Sequence, residues 1–71
     1  MNILVFKTNI EDSKQIKYLS PHFKALDGIV KWDVDLNDCN KVLRVETEYL
    51  QPFTVVNVLA NAGHFCAELQ D

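Results

Sequence analysis

Two hydrophobic periods that cannot share one backbone conformation alternate along this chain, and the points where they switch set its element order. Residues 3–8, "ILVFKT", are β-branched and aromatic and predict a strand. From Asp12 the spacing changes: Ile16, Leu19, Phe23 and Leu26 recur three and four apart, which places them on one helical face. "IVKWDVDL" returns to alternation, with Val30, Trp32, Val34 and Leu36 facing one way and Lys31, Asp33 and Asp35 the other. "NDCN" is a turn cluster, and "KVLRVETEY" then alternates again, with Leu43 and Val45 opposed to Arg44 and Glu46. The short connection makes these two strands a hairpin. In "QPFTVVNVLANAG", Phe53, Val56, Leu59 and Ala60, with Val55 and Ala62 nearby, form the apolar stripe of a second helix. "HFCAEL" supplies a last short strand.

The order βαββαβ predicts a ferredoxin-like α+β fold: a four-stranded antiparallel sheet, strand order 4-1-3-2, with two helices on one face. The 71 residues suffice for one such domain, 1–71. In this topology the loop after the first strand, the hairpin turn carrying Cys39 and the turn at Gly63–His64 lie at one end of the sheet. Local signals fill in the first helix. Asp12 or Ser13 is placed to cap it, with Glu11 and Asp12 complementing the dipole, and Gly28 is placed to stop it. Pro21 predicts either a kink or a restart, with Ser20 as cap and Pro21 at the first helical position.

Charge and motif content narrow the function classes. A net charge of −3 and a pI near 5.2 supply no basic field for phosphates, so no nucleic-acid partner is expected. An RNA-recognition sheet would need exposed aromatics flanked by basic residues, and Phe6 beside Lys7 is too little. The four-residue apolar run near the N-terminus is no signal peptide, and nothing approaches the ~20 apolar residues of a membrane span. A cytoplasmic protein without membrane contact is expected. Its thiols, Cys39 and Cys66, are then expected to be free. The topology also sets them some ~10–14 Å apart, beyond the ~7 Å Cα separation a disulfide tolerates. No Ser-His-Asp set, glycine-rich phosphate loop or "C-x-x-C" occurs, so an enzyme is not expected.

"LDGIVKWDVDL", followed by "KVLRV" and "ANAG", resembles the heavy-metal-associated domain of copper chaperones and metal-pumping ATPases. That family reads "L-x-G-V-x-x-V-x-V-D-L", then a "V-x-V" strand, then a second helix ending near "A-G-Y". Gly28–Ile29, the strand positions Trp32, Val34 and Leu36, and Ala62–Gly63 carry the likeness, which covers nearly the whole chain in order and spacing. It implies the ferredoxin-like fold and a metal site at "M-x-C-x-x-C" in the first loop, where two thiolates bind a soft ion such as Cu(I). Counting back from Gly28, the methionine position falls on Ile10 and the cysteine positions on Asp12 and Gln15. Both thiols are absent.

Other residues at that end could restore a donor set. His64 stands, in one alignment, at the aromatic position after the family's "A-G", and Cys39, Glu11 and Asp12 could complete an N/S/O site better suited to Zn(II) than Cu(I). Cys66 lies two residues after His64 and shares its side of a strand. Because Phe65, Ala67 and Leu69 also alternate, one register buries Cys66 and the other exposes it. His22, on the first helix, reads as solvated, and Asp33, Asp35, Asp38, Glu46 and Glu48 as the solvated side of the hairpin. The open sheet face is the remaining candidate surface. The first strand is apolar at both parities, and Leu4, Phe6 and Val42 are the set expected on that face, available to a protein partner or a homodimer.

Three functions follow. The chain is a protein-interaction module that has lost the family's metal site; or it binds Zn or Cu through His64 with Glu11, Asp12 or a cysteine; or it is a small-ligand regulatory domain similar to ACT modules, which share the topology.

Overall fold

The computed structural model describes residues 2–69. Its elements are β1 (Asn2–Thr8), α1 (Ser13–Lys24), β2 (Ile29–Asp35), β3 (Val42–Thr47), α2 (Pro52–Asn61) and β4 (Cys66–Glu68). The sheet order is β2-β3-β1-β4, antiparallel throughout, which is the ferredoxin-like arrangement. Leu19 and Phe23 of α1 and Val55 and Leu59 of α2 form one core with Phe6, Leu43, Val45, Cys66 and Ile10.

The register of β1 decides which side chains enter that core. Leu4 lies opposite Val45 and Phe6 opposite Leu43, and opposed residues in an antiparallel pair point to the same side. Phe6 is 0% exposed, and half-buried Leu4 packs against the same core. The expectation that Leu4 and Phe6 lie on the open face is therefore overturned. Ile3 and Val5, opposite Glu46 and Arg44, take those places, with Val42 on the same side of β3.

Three further expectations change. In β2 the register slips between Ile29 and Lys31, so Val30 is the extra residue of a bulge and is exposed rather than continuing the Trp32–Val34 row. In α2, burial of Val55 and Leu59 carries Phe53 about 200° around the helix from Val55, and it is 72% exposed. A helix apolar nearly all round has no stripe that sequence alone can orient. Finally, of the two alternatives at Pro21 the restart capped by Ser20 is ruled out, because α1 runs unbroken from Ser13 to Lys24 with Pro21 inside it. Both Pro21 and Lys17, whose carbonyl loses its helical partner, are on the exposed side, while Leu19 and Phe23 hold the other side in the core.

The end of the sheet opposite the three loops is fastened by a buried hydroxyl. Thr47 donates to the Gly28 carbonyl at 2.7 Å and accepts from the Leu50 amide at 3.1 Å. Gly28 does not stop α1, which is capped three residues earlier at Ala25; it turns the chain into β2 at φ +105. A Cβ there would stand 2.8 Å from the Tyr49 ring and 3.1 Å from Leu50 Cγ. Gly28→Ala is expected to cost about 1–3 kcal/mol of unfolding free energy, from the positive φ and the close approach together. Thr47→Val, which keeps shape but strands these buried partners, is expected to cost a similar ~1–3 kcal/mol. Urea unfolding of both variants checks the two values.

Candidate functional site at the loop end of the sheet

Hydrogen bonds bring the three loops together. The Thr8 amide donates to the Asn40 carbonyl at 3.0 Å, and the Thr8 hydroxyl donates to the Lys41 carbonyl at 2.6 Å, tying the end of β1 to the hairpin turn. The same hydroxyl accepts from the Ile10 amide at 3.2 Å. Asn9 Oδ1 accepts from the Phe65 amide at 3.0 Å, which fastens the first loop to the segment before β4. Thr8 and Asn9 carry no motif, and only the alternation of β1 hints that Thr8 faces inward.

The first loop is closed by a helix cap. Asp12 Oδ1 accepts from the Gln15 amide at 3.0 Å, and Gln15 Oε1 accepts from the Glu11 amide at 2.8 Å. This is the reciprocal logic of a capping box, displaced by one residue. Asp12 is the N-cap, and Ile10, at the family's methionine position, is a fully buried core residue. The side chains at both of the family's cysteine positions thus accept from backbone N–H groups, Asp12 from one in the first helical turn and Gln15 from one just ahead of the cap.

The other candidate donors lie on separate segments. The His64 amide donates to the Leu59 carbonyl at 2.9 Å and the Gly63 amide to the Ala60 carbonyl at 3.0 Å, with Gly63 at φ +85. These two bonds are the Schellman termination of α2, which accounts for the glycine of "A-G-H". Cys39 is exposed in a hairpin turn built on Asp35 and Asp38, whose carboxylates accept from the Asn37 and Asn40 amides at 3.0 and 2.8 Å. Cys66 lies opposite Thr8 in the register, faces the core and is a free thiol whose pKa burial pushes up to about 12. The loops converge, but the donors do not: among the described residues no group of three His, Cys, Asp or Glu is placed to hold a metal ion. Glu11, Asp12, Cys39, His64 and Cys66 are not assembled into one ligand set.

No protein-family model matches the chain, and no curated protein matches it by sequence. Solved structures do match its shape. The yeast copper transporter domain Ccc2a, described in apo and Cu(I)-loaded states, superposes with a TM-score of 0.83 at 16% identity, over 100% of this chain and 99% of that one. The N-terminal domain of PacS from Synechocystis gives 0.81 at 10% identity, over 99% and 100%. The Cu(I)-loaded first domain of the human copper chaperone for superoxide dismutase gives 0.78 at 17% identity, over 93% and 89%. The chain has the fold of heavy-metal-associated domains. No helix of the described residues is long and apolar enough to cross a membrane.

Two measurements follow. With a thiol-specific chromogenic reagent at pH 8, Cys39 is expected to react promptly, and Cys66 only once denaturant exposes it. Asp12→Ala is expected to cost about 1 kcal/mol of unfolding free energy, read by thermal or urea unfolding, as the loss of an N-cap side chain does.

Proposed function

We propose that this chain is a non-enzymatic, cytoplasmic protein-interaction module on the heavy-metal-associated scaffold, without that family's thiolate metal site. The observation that carries this reading is the first loop. Where a soft ion would need two thiolates, an aspartate and an amide cap a helix, at 3.0 and 2.8 Å from their backbone partners. A carboxylate and a carboxamide so engaged are poor ligands for Cu(I), and releasing the Asp12 cap would cost about 1 kcal/mol.

Interaction with another protein is a use this scaffold has elsewhere: the solution structure of the Atx1-Cu(I)-Ccc2a complex contains a domain that matches this chain with a TM-score of 0.81 at 16% identity. Here the candidate recognition surface is the open sheet face, where Ile3, 57% exposed, and Val5 and Val42 lie beside Arg44, Glu46 and Lys31. An apolar strip edged by both charge signs suits a protein surface better than a nucleic acid or a small anion.

The test is an amide NMR titration of the reduced protein with Zn(II), then with Cu(I) without oxygen. The expected result is no saturable shift at Glu11–Ser13, Cys39 or His64–Cys66. The variant combining Asp12→Cys with Gln15→Cys is expected to gain stoichiometric Cu(I) binding, because the loop geometry of the scaffold is retained. Saturable, stoichiometric shifts in the unaltered chain would replace this reading with the metal-binding one.

A further inference from the structure

The sheet has two outer edges, and they are unequal. β4 offers three residues; β2 offers seven. The outer edge of a strand presents N–H and C=O groups that can template a further strand, and bulges or charges commonly blunt it. In β2 the bulge at Val30 leaves Lys31–Asp35 in regular register. Along that stretch Lys31, Asp33 and Asp35 point to the open face, and Trp32 and Val34 to the helix side.

The charges discriminate sharply between possible occupants of this edge. Opposed residues of antiparallel strands point to the same side, so a two-fold axis relating two copies of β2 must pass through a residue. Centred on Asp33, the pairing sets Asp33 against Asp33, between two Lys31–Asp35 pairs. Centred on Val34, it sets Asp33 against Asp35 twice. Centred on Lys31, it sets Lys31 against Lys31. Each of these places like charges directly opposite, which is destabilising. Centred on Trp32, it sets Lys31 of each copy against Asp33 of the other, two opposite-charge pairs with no like-charge contact. Centred on Asp35, it sets Asp35 against Asp35, so of the five registers centred within Lys31–Asp35 only the one at Trp32 is free of like-charge opposition.

The helix side of the same edge has room for what that register brings. A groove of about 420 Å³, lined by Phe23, Lys24, Leu26, Ile29 and Trp32 among others, runs between α1 and β2. Trp32, half-buried, forms one wall with its ring 4.6 Å from that of Phe23. With the axis at Trp32, the two Trp32 side chains would face each other on this helix side.

We propose that the β2 edge is a homodimer interface, in which two copies of this chain pair β2 to β2 about an axis at Trp32 and join their sheets into one. This goes beyond the proposed function and uses none of the residues of the first-loop cap, so metal binding, present or absent, leaves it standing or falling on its own.

Sedimentation equilibrium of the full chain in reducing, metal-chelated buffer, from about 10 μM to about 1 mM, is expected to show a reversible monomer–dimer equilibrium. Lys31→Asp and Asp33→Lys, each confirmed folded by far-UV circular dichroism, are each expected to weaken the dimer roughly tenfold or more, since both opposed pairs become like-charged. An equal mixture of the two single variants is expected to dimerise again, because every opposed pair is then of opposite sign. Trp32 is the only tryptophan, so its emission is expected to shift to shorter wavelength as the unaltered chain associates. Amide exchange at residues 31–34 is expected to slow over the same concentration range. A chain monomeric throughout, a dimer that protects other amides, or a mixture no better than its single components would overturn the proposal.

Discussion

Burial of Phe6 against Leu43, at the centre of the sheet, is the contact on which the other placements depend. β1 is one of the two inner strands, set between β3 and β4, and it is apolar at both parities. Once Leu4 and Phe6 share the helix side with Val45 and Leu43, a one-residue slip is excluded, because it would move the whole set to the open face. Burial of a phenylalanine of this kind is worth about 1.5–3 kcal/mol, more than any surface contact in the domain can offer against it. Thr8, two residues on, is thereby also turned inward, and Cys66 opposite it follows.

Two buried threonines then finish what the apolar core begins. Thr8 and Thr47 are the two buried polar residues among those described, and they lie at opposite ends of neighbouring strands. Each hydroxyl both donates and accepts across loops: Thr8 to Lys41 and from Ile10, Thr47 to Gly28 and from Leu50. Buried carbonyls and amides at loop ends need partners, and a hydroxyl serves as donor and acceptor at once. The loop end of the sheet, where the related fold places its metal chemistry, is in this chain a knot of such bonds. Hydrogen bonds likewise close the helix start, the hairpin turn and the Schellman end of α2.

How far the sequence could be read depended on whether the competing states differed in burial. The element order, the turn at "NDCN" and the Asp12 cap were legible because each rests on a local rule: period, turn chemistry or an unpaired helix N–H. The convergence of three loops followed from topology. The surface set was misread at Leu4 and Phe6 because Ile3 and Val5 are equally apolar, so local hydrophobicity carried no preference between the faces. Phe53 was misread for the same reason on a helix. Val30 was misread because a bulge is a tertiary adjustment between two strands, and neither strand encodes it alone.

By itself, the sequence determined the ferredoxin-like class, the order of its elements and the absence of a Cys-x-x-Cys pair, since periodicity and residue identity are properties of the chain. Only the tertiary structure decided the phase of β1 and α2, the burial of Cys66 and the separation of the candidate donors. Those are outcomes of packing, in which several segments must agree on one register before any of them has an inside. The exposed edge of β2 belongs to the second kind as well: a strand becomes an edge only when the others have chosen their neighbours.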